Sequence, residues 1–486
     1  MKINIIGSGF SSLAASCYLA QAGYDVTLFE KNKTIGGRAR QLIKDGFTFD
    51  IGPTWYWMPD VFERFFSDFQ KSPSDYYTLE KLNPAYSVYF GIEDYITIED
   101  TLEKIISLFE KEEKGSSLKL KKFITNAKNN YDIAIKDLVY KPGVSPLELV
   151  SLKTIKKLNQ FFSNIKKDVR KEFKNDRLVK ILEFPVLFLG AKPSDTPSFY
   201  SFMNYADFGL GTFHPKKGMY QVILAMESLA KELGVKIKTE SPVEKILVEN
   251  GQTKGILSNG TTYLCDIVLS GADYHHTETL LDKPYRQYSE SYWNKKTFAP
   301  SSLLFYVGFD KKLKNVNHHT LFFDVDFDIH AEAIYDNPKW PENPLFYASF
   351  PSKTDISSAP EGQEAGIFLI PLAPGLEDTP ALREAYFEKI MTRFEKLTSQ
   401  KIKNHIIFRD SFCVNDFVKD YNSYKGNAYG MANTLTQTAF LRPKLKSKKV
   451  KHLFFTGQLT VPGPGVPPSL ISGKLVAELI TKYHCL

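Results

Sequence analysis

The run Ile3-Asn4-Ile5-Ile6-Gly7-Ser8-Gly9-Phe10-Ser11-Ser12 decides the fold. Its first four residues read as a short strand. The small-residue segment Leu13-Ala14-Ala15-Ser16-Cys17-Tyr18-Leu19-Ala20 reads as a helix, and Gly23 closes it. Asp25-Val26-Thr27-Leu28-Phe29 then reads as a second strand that ends on Glu30. Strand, glycine turn, helix, strand and terminal acid in this order form the dinucleotide-binding βαβ unit. Gly7 permits the tight turn, and Gly9 lets backbone N–H groups approach a pyrophosphate at the helix N-terminus. Glu30 stands where a carboxylate accepts from ribose hydroxyls. Ser12 occupies the place of the third glycine or alanine, where a small side chain keeps helix and strand close.

From Ile3 to Tyr24 the chain carries no charge, which imitates a signal peptide or a membrane anchor. The apolar run breaks after four residues into polar turn chemistry, and no comparable segment occurs elsewhere. The expectation is a protein without a transmembrane span. Its 486 residues suffice for about three domains, and 43% hydrophobic with 24% charged residues is ordinary for a folded protein. The four cysteines, Cys17, Cys265, Cys413 and Cys485, contain no CxxC pair, which excludes a disulfide scaffold and a Cys-rich zinc site. A net charge of +7 permits an anionic membrane surface as partner and gives no argument for nucleic acid.

Working outward, Gly36-Gly37-Arg38 follows the acidic residue, with paired glycines to expose amides and an arginine fork for phosphate. Gly46-Phe47-Thr48-Phe49-Asp50-Ile51-Gly52-Pro53-Thr54-Trp55-Tyr56-Trp57 reads as a strand running into a Gly-Pro turn and an aromatic cluster. Here the sequence resembles the FAD-dependent amine oxidase superfamily, and more narrowly the bacterial-type phytoene desaturases. At the other end, Leu453-Phe454-Phe455-Thr456-Gly457 is a buried-type strand, and a Pro/Gly loop from Gln458 to Gly465 leads into a helix from Val466. This resembles the C-terminal signature of carotenoid desaturases, with Gln458-Leu459 where family members more often carry small residues. A third piece spans 212–282, where the resemblance implies that Val243 meets the adenine through its backbone.

The expected fold is therefore α/β: a Rossmann-like FAD-binding domain assembled from 1–75, 212–295 and 430–486. A mixed β-sheet and helical substrate domain takes 76–120 and 296–429, and a helical membrane-associating region takes 121–211. The expected cofactor contacts are Gly7, Gly9, Phe10, Ser11, Ser12, Glu30, Lys31, Gly37, Arg38, Gly52, Pro53, Thr54, Trp55, Val243, Gly457, Gln458, Gly465 and Val466.

Residues 151–180 carry ten basic residues and three acids. Apolar residues Leu152, Ile155, Leu158, Phe162, Ile165, Val169 and Phe173 recur near helical period, the pattern of a basic amphipathic helix on a membrane surface. The same pattern also fits a helix packed on the core with a solvated lysine face. Phe184-Pro185-Val186-Leu187-Phe188-Leu189 adds apolar material for a long substrate cavity. Adjacent His318 and His319 in a strand point to opposite faces and make a poor metal site, so no metal is expected.

An unactivated C–H is too weak an acid for a side-chain base alone, so desaturation calls for an oxidant such as FAD. The resemblance implies stepwise conversion of phytoene towards lycopene, a long apolar polyene substrate, and reoxidation by quinone or oxygen. It also implies a cytoplasmic protein peripherally attached to the membrane. A later-step desaturase of hydroxylated or cyclised carotenoids stays open. So does a non-catalytic lipid-binding protein of the GDP-dissociation-inhibitor type. Spacing marks no proton acceptor; Tyr56 and Asp50 read as a core hydroxyl and a strand-end acid.

Overall fold

The computed structural model describes residues 1–149, 157–434 and 436–484. Strand β1 (Lys2–Ile6), helix α1 (Phe10–Gln21) and strand β2 (Asp25–Phe29) form the expected unit. β1 is central in a five-stranded parallel sheet ordered Leu453–Phe455, Ile267–Ser270, β1, β2, Lys236–Lys238. A strand flanked on both sides and covered on both faces is mainly apolar: Ile3 and Ile5 are fully buried, and the one buried polar residue, Asn4, donates its side-chain amide N–H to the Tyr263 carbonyl (3.0 Å). Strands from residue 2 and residue 453 thus lie in one sheet.

Helix α1 is buried nearly all round, which its run of Ala14, Ala15 and Ser16 permits. The C-terminal helix Val466–Tyr483 packs on it so closely that a Cβ on Gly473 would lie 2.5 Å from the Ser11 carbonyl oxygen.

A seven-stranded sheet forms the second layer, ordered Ile406–Phe412, Ser301–Phe309, Glu364–Leu372, Phe346–Ser349, His319–Phe322, Tyr86–Gly91, Asp94–Ile98. Its pairs are antiparallel except for His319–Phe322 beside Tyr86–Gly91, which run parallel. A three-stranded antiparallel sheet, Val243–Glu249, Gln252–Ser258 and Thr261–Leu264, lies within the third piece.

The segment 151–180 departs from its expectation. Leu152, Lys153, Ile155 and Lys156 lie outside the described residues, as does the side chain of Leu158. The rest is not one helix: Leu158–Phe161, Ile165–Glu172 and Asp176–Glu183 are separate. Asn164 and Asn175 are the reason, because each caps a new helix by accepting a backbone N–H, from Lys167 and Arg177 respectively. Ile165, Val169 and Phe173 are buried in the main core, so this part of the stripe is a packing face and is not available to lipid. Several of the cations are answered by acids: Lys166 by Asp328, Arg170 by buried Glu183, Arg177 by Asp94 and Glu112. Among the described residues, no helix is long and apolar enough to cross a membrane.

Candidate active site

A cavity of about 940 Å³ lies between the layers. Seventeen of the eighteen expected cofactor residues line it, Gly7 to Ser11 and Gly465–Val466 among them. Ser12 does not reach it. A Cβ on Gly271 would fall 2.0 Å from Ser12 Oγ, so this serine sets the distance between α1 and the adjoining strand.

Several observations test whether FAD fits here. Gly9 sits at φ −71° and ψ 175°, a backbone any residue adopts, and an added Cβ would meet no protein atom within 4 Å. The protein's own packing therefore does not require glycine at this point; a ligand approaching from the cavity does. Both α1 and the helix from Val466 begin at the cavity without a side-chain cap or an acid in the first turn. The free N–H groups of α1 and the dipoles of both helices suit an anionic ligand; Pro467 and Pro468 leave the second helix few N–H donors of its own. Arg38 is partly buried, its buried Nε has no partner among the described residues, and its guanidinium binds Ser423 Oγ (3.0 Å) and the Asn427 carbonyl (3.3 Å) without a carboxylate. Burial lowers its pKa, with nearby Asp273 opposing. A partly buried cation held only by neutral groups suits an anion arriving from the cavity, and a diphosphate is such an anion.

Glu30 ends β2 and is buried. Its carboxylate accepts from Ser8 N (3.1 Å), Ser8 Oγ (2.5 Å) and Asn32 N (2.8 Å), which fixes it at the cavity wall. Gln458, the family departure, is packed against Gly430, and its carbonyl accepts from buried Arg442 (3.2 Å).

The partners of Arg38 escaped the sequence reading. Tyr421, whose ring lies 5.2 Å from the guanidinium carbon, and Ser423 and Asn427 are nearly four hundred residues away in the chain. No spacing signal links them.

Away from these polar residues the cavity wall is aromatic and aliphatic, with Phe161, Phe184, Leu187, Phe199, Phe202, Leu321, Phe323 and Phe327. Trp55 and Trp57 line it, whereas Tyr56 is buried behind them and hydrogen-bonded to Tyr77 (2.8 Å). Of the run from Phe184, Phe184 and Val186 are buried, and Leu187 also reaches the cavity. The side chains of Phe188 and Leu189 lie outside those described. Asp50 caps the helix Tyr220–Glu232 by accepting from Met219 N (2.8 Å) and Tyr220 N (3.2 Å). Burial raises it to about 6.

His318 and His319 correct another expectation. His318 lies just before the strand, so strand alternation does not separate the pair, and their rings are 4.5 Å apart. Both are buried.

Comparison with known proteins agrees with this site. The family model described as "Flavin containing amine oxidoreductase" matches residues 10–481. A carotenoid 3,4-desaturase of Haloarcula japonica is 39% identical over 98% of this chain and 97% of its own length. A zeta-carotene-forming phytoene desaturase of Myxococcus xanthus is 32% identical over 99% of this chain and 94% of its own. Among solved structures, an oxidoreductase from Methanosarcina mazei has a TM-score of 0.65 at 17% identity, covering 98% of this chain and 100% of that one, a likeness of fold. The chain belongs to the flavin-containing amine oxidoreductases and, within them, to the carotenoid desaturase family. It is an FAD-dependent oxidoreductase.

Proposed function

We propose that this enzyme introduces double bonds into a long acyclic carotenoid. The observation that carries this reading is the continuity of the cavity, which joins the polar FAD-binding residues to an aromatic wall. Bound FAD supplies the oxidising capacity, as acceptor of a hydride from the carbon skeleton. The backbone at Gly9, the fork of Arg38 and the carboxylate of Glu30 hold the cofactor. The wall at Phe184, Phe199 and Phe323 orients the polyene and keeps water out, since an apolar substrate offers nothing for a charged group to grip. Reoxidation by a quinone or by oxygen completes the cycle.

Two readings of the step compete. Conversion of phytoene towards lycopene is what the resemblance to the phytoene desaturases implies. A later desaturation, on a hydroxylated carotenoid, is favoured by the 39% identity to a 3,4-desaturase. It is also favoured by Tyr335 and Tyr429, two cavity-lining residues able to hydrogen-bond a polar substituent. Feeding purified holoenzyme phytoene, lycopene and a hydroxylated derivative in liposomes, with chromatography of the products, decides between them. Absence of product from all three overturns the desaturase reading.

We place the enzyme in the cytoplasm, seated on a membrane at the rim of the cavity. Val144, Leu147 and Phe162 are 63%, 75% and 84% exposed, beside the lining residues Gly143, Ser145 and Phe161, and Lys141 lies at the same rim. Apolar side chains with a lysine among them suit an anionic bilayer.

A further inference from the structure

Tyr347 lies on the wall of the cavity beside Thr54 and Trp55. Its hydroxyl is 2.8 Å from Thr54 Oγ1 and 2.7 Å from His319 Nδ1. The His319 ring is stacked on Trp55, with centroids 4.0 Å apart and planes 10° from parallel. Its Nε2 is buried and finds no hydrogen-bond partner among the described residues. Behind it stand two more histidines in file. The His318 ring is 4.5 Å from His319, the His214 ring is 4.6 Å from His318, and His214 Nε2 is 3.7 Å from an Asp355 carboxylate oxygen. Asp355 is held by the backbone N–H groups of Lys217 and Ser357, two exposed residues. Three of the chain's nine histidines thus lead from the cavity wall to a surface loop.

We propose that Tyr347, backed by His319, accepts the proton released in desaturation. The inference rests on the desaturase reading above. Two C–H bonds on neighbouring carbons break and one C=C bond forms. One hydrogen leaves with its electron pair as a hydride to FAD, which is the established oxidant. The other leaves as a proton to the Tyr347 oxygen while the Tyr347 O–H proton passes to His319 Nδ1. The electron pair of that second C–H bond becomes the new π bond. We assign the resting tautomer accordingly, with Nδ1 accepting from Tyr347 and the proton on Nε2.

The setting suits a base that must be neutral before the reaction. Burial, with His214 and, for His318, His319 beside it, holds both His318 and His319 well below the ordinary imidazole value. The groups that face His319 are Tyr347, His318 and His214, with Asp355 and Asp50 beyond His214, so no carboxylate pairs with His319 itself. Such a base is weak, and weakness is no obstacle here: a C–H beside an allylic cation is a far stronger acid than an imidazolium. Tyr347 is the catalytic residue in this scheme, because it lines the cavity that would hold the substrate; His319 acts through it.

The test uses holoenzyme and carotenoid deuterated separately at the two reacting carbons. His319→Asn keeps an oxygen near the Nδ1 position, so the Tyr347 hydrogen bond survives while proton uptake is lost. Tyr347→Phe removes only the hydroxyl. Both should retain FAD and the parent's thermal midpoint, and both should slow turnover about 100-fold or more, the range for loss of a general base. The isotope effect at the proton-losing carbon should rise in each variant, while that at the hydride-losing carbon falls. A readout apart from turnover is stability against pH. The unfolded chain takes up a proton at His319 below about pH 6.5 that the folded chain refuses, so stability is lost as pH falls. In His319→Asn the drop in denaturation midpoint between pH 7 and pH 5 should shrink. Turnover within threefold of the parent, an unchanged pattern of isotope effects, or rescue of activity by Asn overturns the relay. If the parent itself forms no product, the desaturase reading fails and the relay falls with it; if the parent desaturates and the variants match it, only the relay fails.

Discussion

The two parts of the cavity are built on opposite principles. Around Gly9, Gly37, Arg38 and Glu30 the wall is backbone amide, helix terminus and a few fixed charges, each tied to the loop that follows a strand. Around Phe184, Phe199 and Phe323 it is side-chain surface with few polar atoms. A diphosphate and a ribose need donors and acceptors at set positions, so the residues that supply them are constrained one by one. A polyene needs length and exclusion of water, which many sets of aromatic residues provide equally well.

The largest test of this contrast is Gly9→Val. Its Cβ meets no protein atom, so the fold should survive, with a thermal midpoint close to that of the FAD-free parent. Bound FAD, read as flavin absorbance per protein, should fall to background. A yellow, fully loaded variant would break the assignment of the polar part.

Phe184→Ala reverses the pattern. Phe184 is 2% exposed and packs against Trp55, Trp57, Tyr86 and Phe323. Truncation should cost about 3–5 kcal/mol in denaturant unfolding while the flavin-to-protein ratio of the folded fraction stays that of the parent. Loss of FAD at equal stability would show that the two parts are not independent.

Asp207→Asn sharpens the comparison by pH. Asp207 is buried behind the aromatic wall, bonded to Tyr86 (2.7 Å), and burial raises it to about 8. The folded chain therefore keeps a proton that the unfolded chain releases above about pH 4. That contribution to stability is full below this pH and is lost as pH rises to about 8, at roughly 1.4 kcal/mol per pH unit. The asparagine variant lacks this slope, so its unfolding free energy relative to the parent should climb between pH 5 and pH 8. Parallel curves would mean that the carboxyl is ionised.

Lys166→Glu is the smallest. The Lys166–Asp328 pair (2.6 Å) is partly exposed, and reversing it should change stability by less than about 1 kcal/mol. Binding to anionic liposomes should be nearly unchanged if docking occurs at Val144, Leu147 and Phe162. A large loss of liposome binding would return the membrane contact to the helix Ile165–Glu172.

The same contrast governs what could be read from the chain. The βαβ unit, the Gly-Gly-Arg turn and the C-terminal loop were legible because glycines and an acid at fixed spacing are what a dinucleotide demands. The helix-to-strand role of Ser12 was legible too, since a Cβ on Gly271 would fall against its hydroxyl; its inclusion among the cofactor contacts was not, because it does not reach the cavity. Periodicity suggested one helix over 151–180, but it sums apolar positions and is blind to the caps at Asn164 and Asn175. The polar file from Tyr347 to Asp355 joins five residues from four separate stretches of chain, and only the fold brings them together.

The sheet that holds β1 also holds Leu453–Phe455, and α1 lies against the helix from Val466. A ribosome delivers these partners in reverse order of need. The glycine turn emerges first and waits through more than four hundred residues of synthesis for the strand and helix that complete its site. Loading of FAD therefore has to wait for the strand Leu453–Phe455 and the helix after it, and a chain truncated before residue 453 would carry the fingerprint without the sheet neighbour and helix that complete the site.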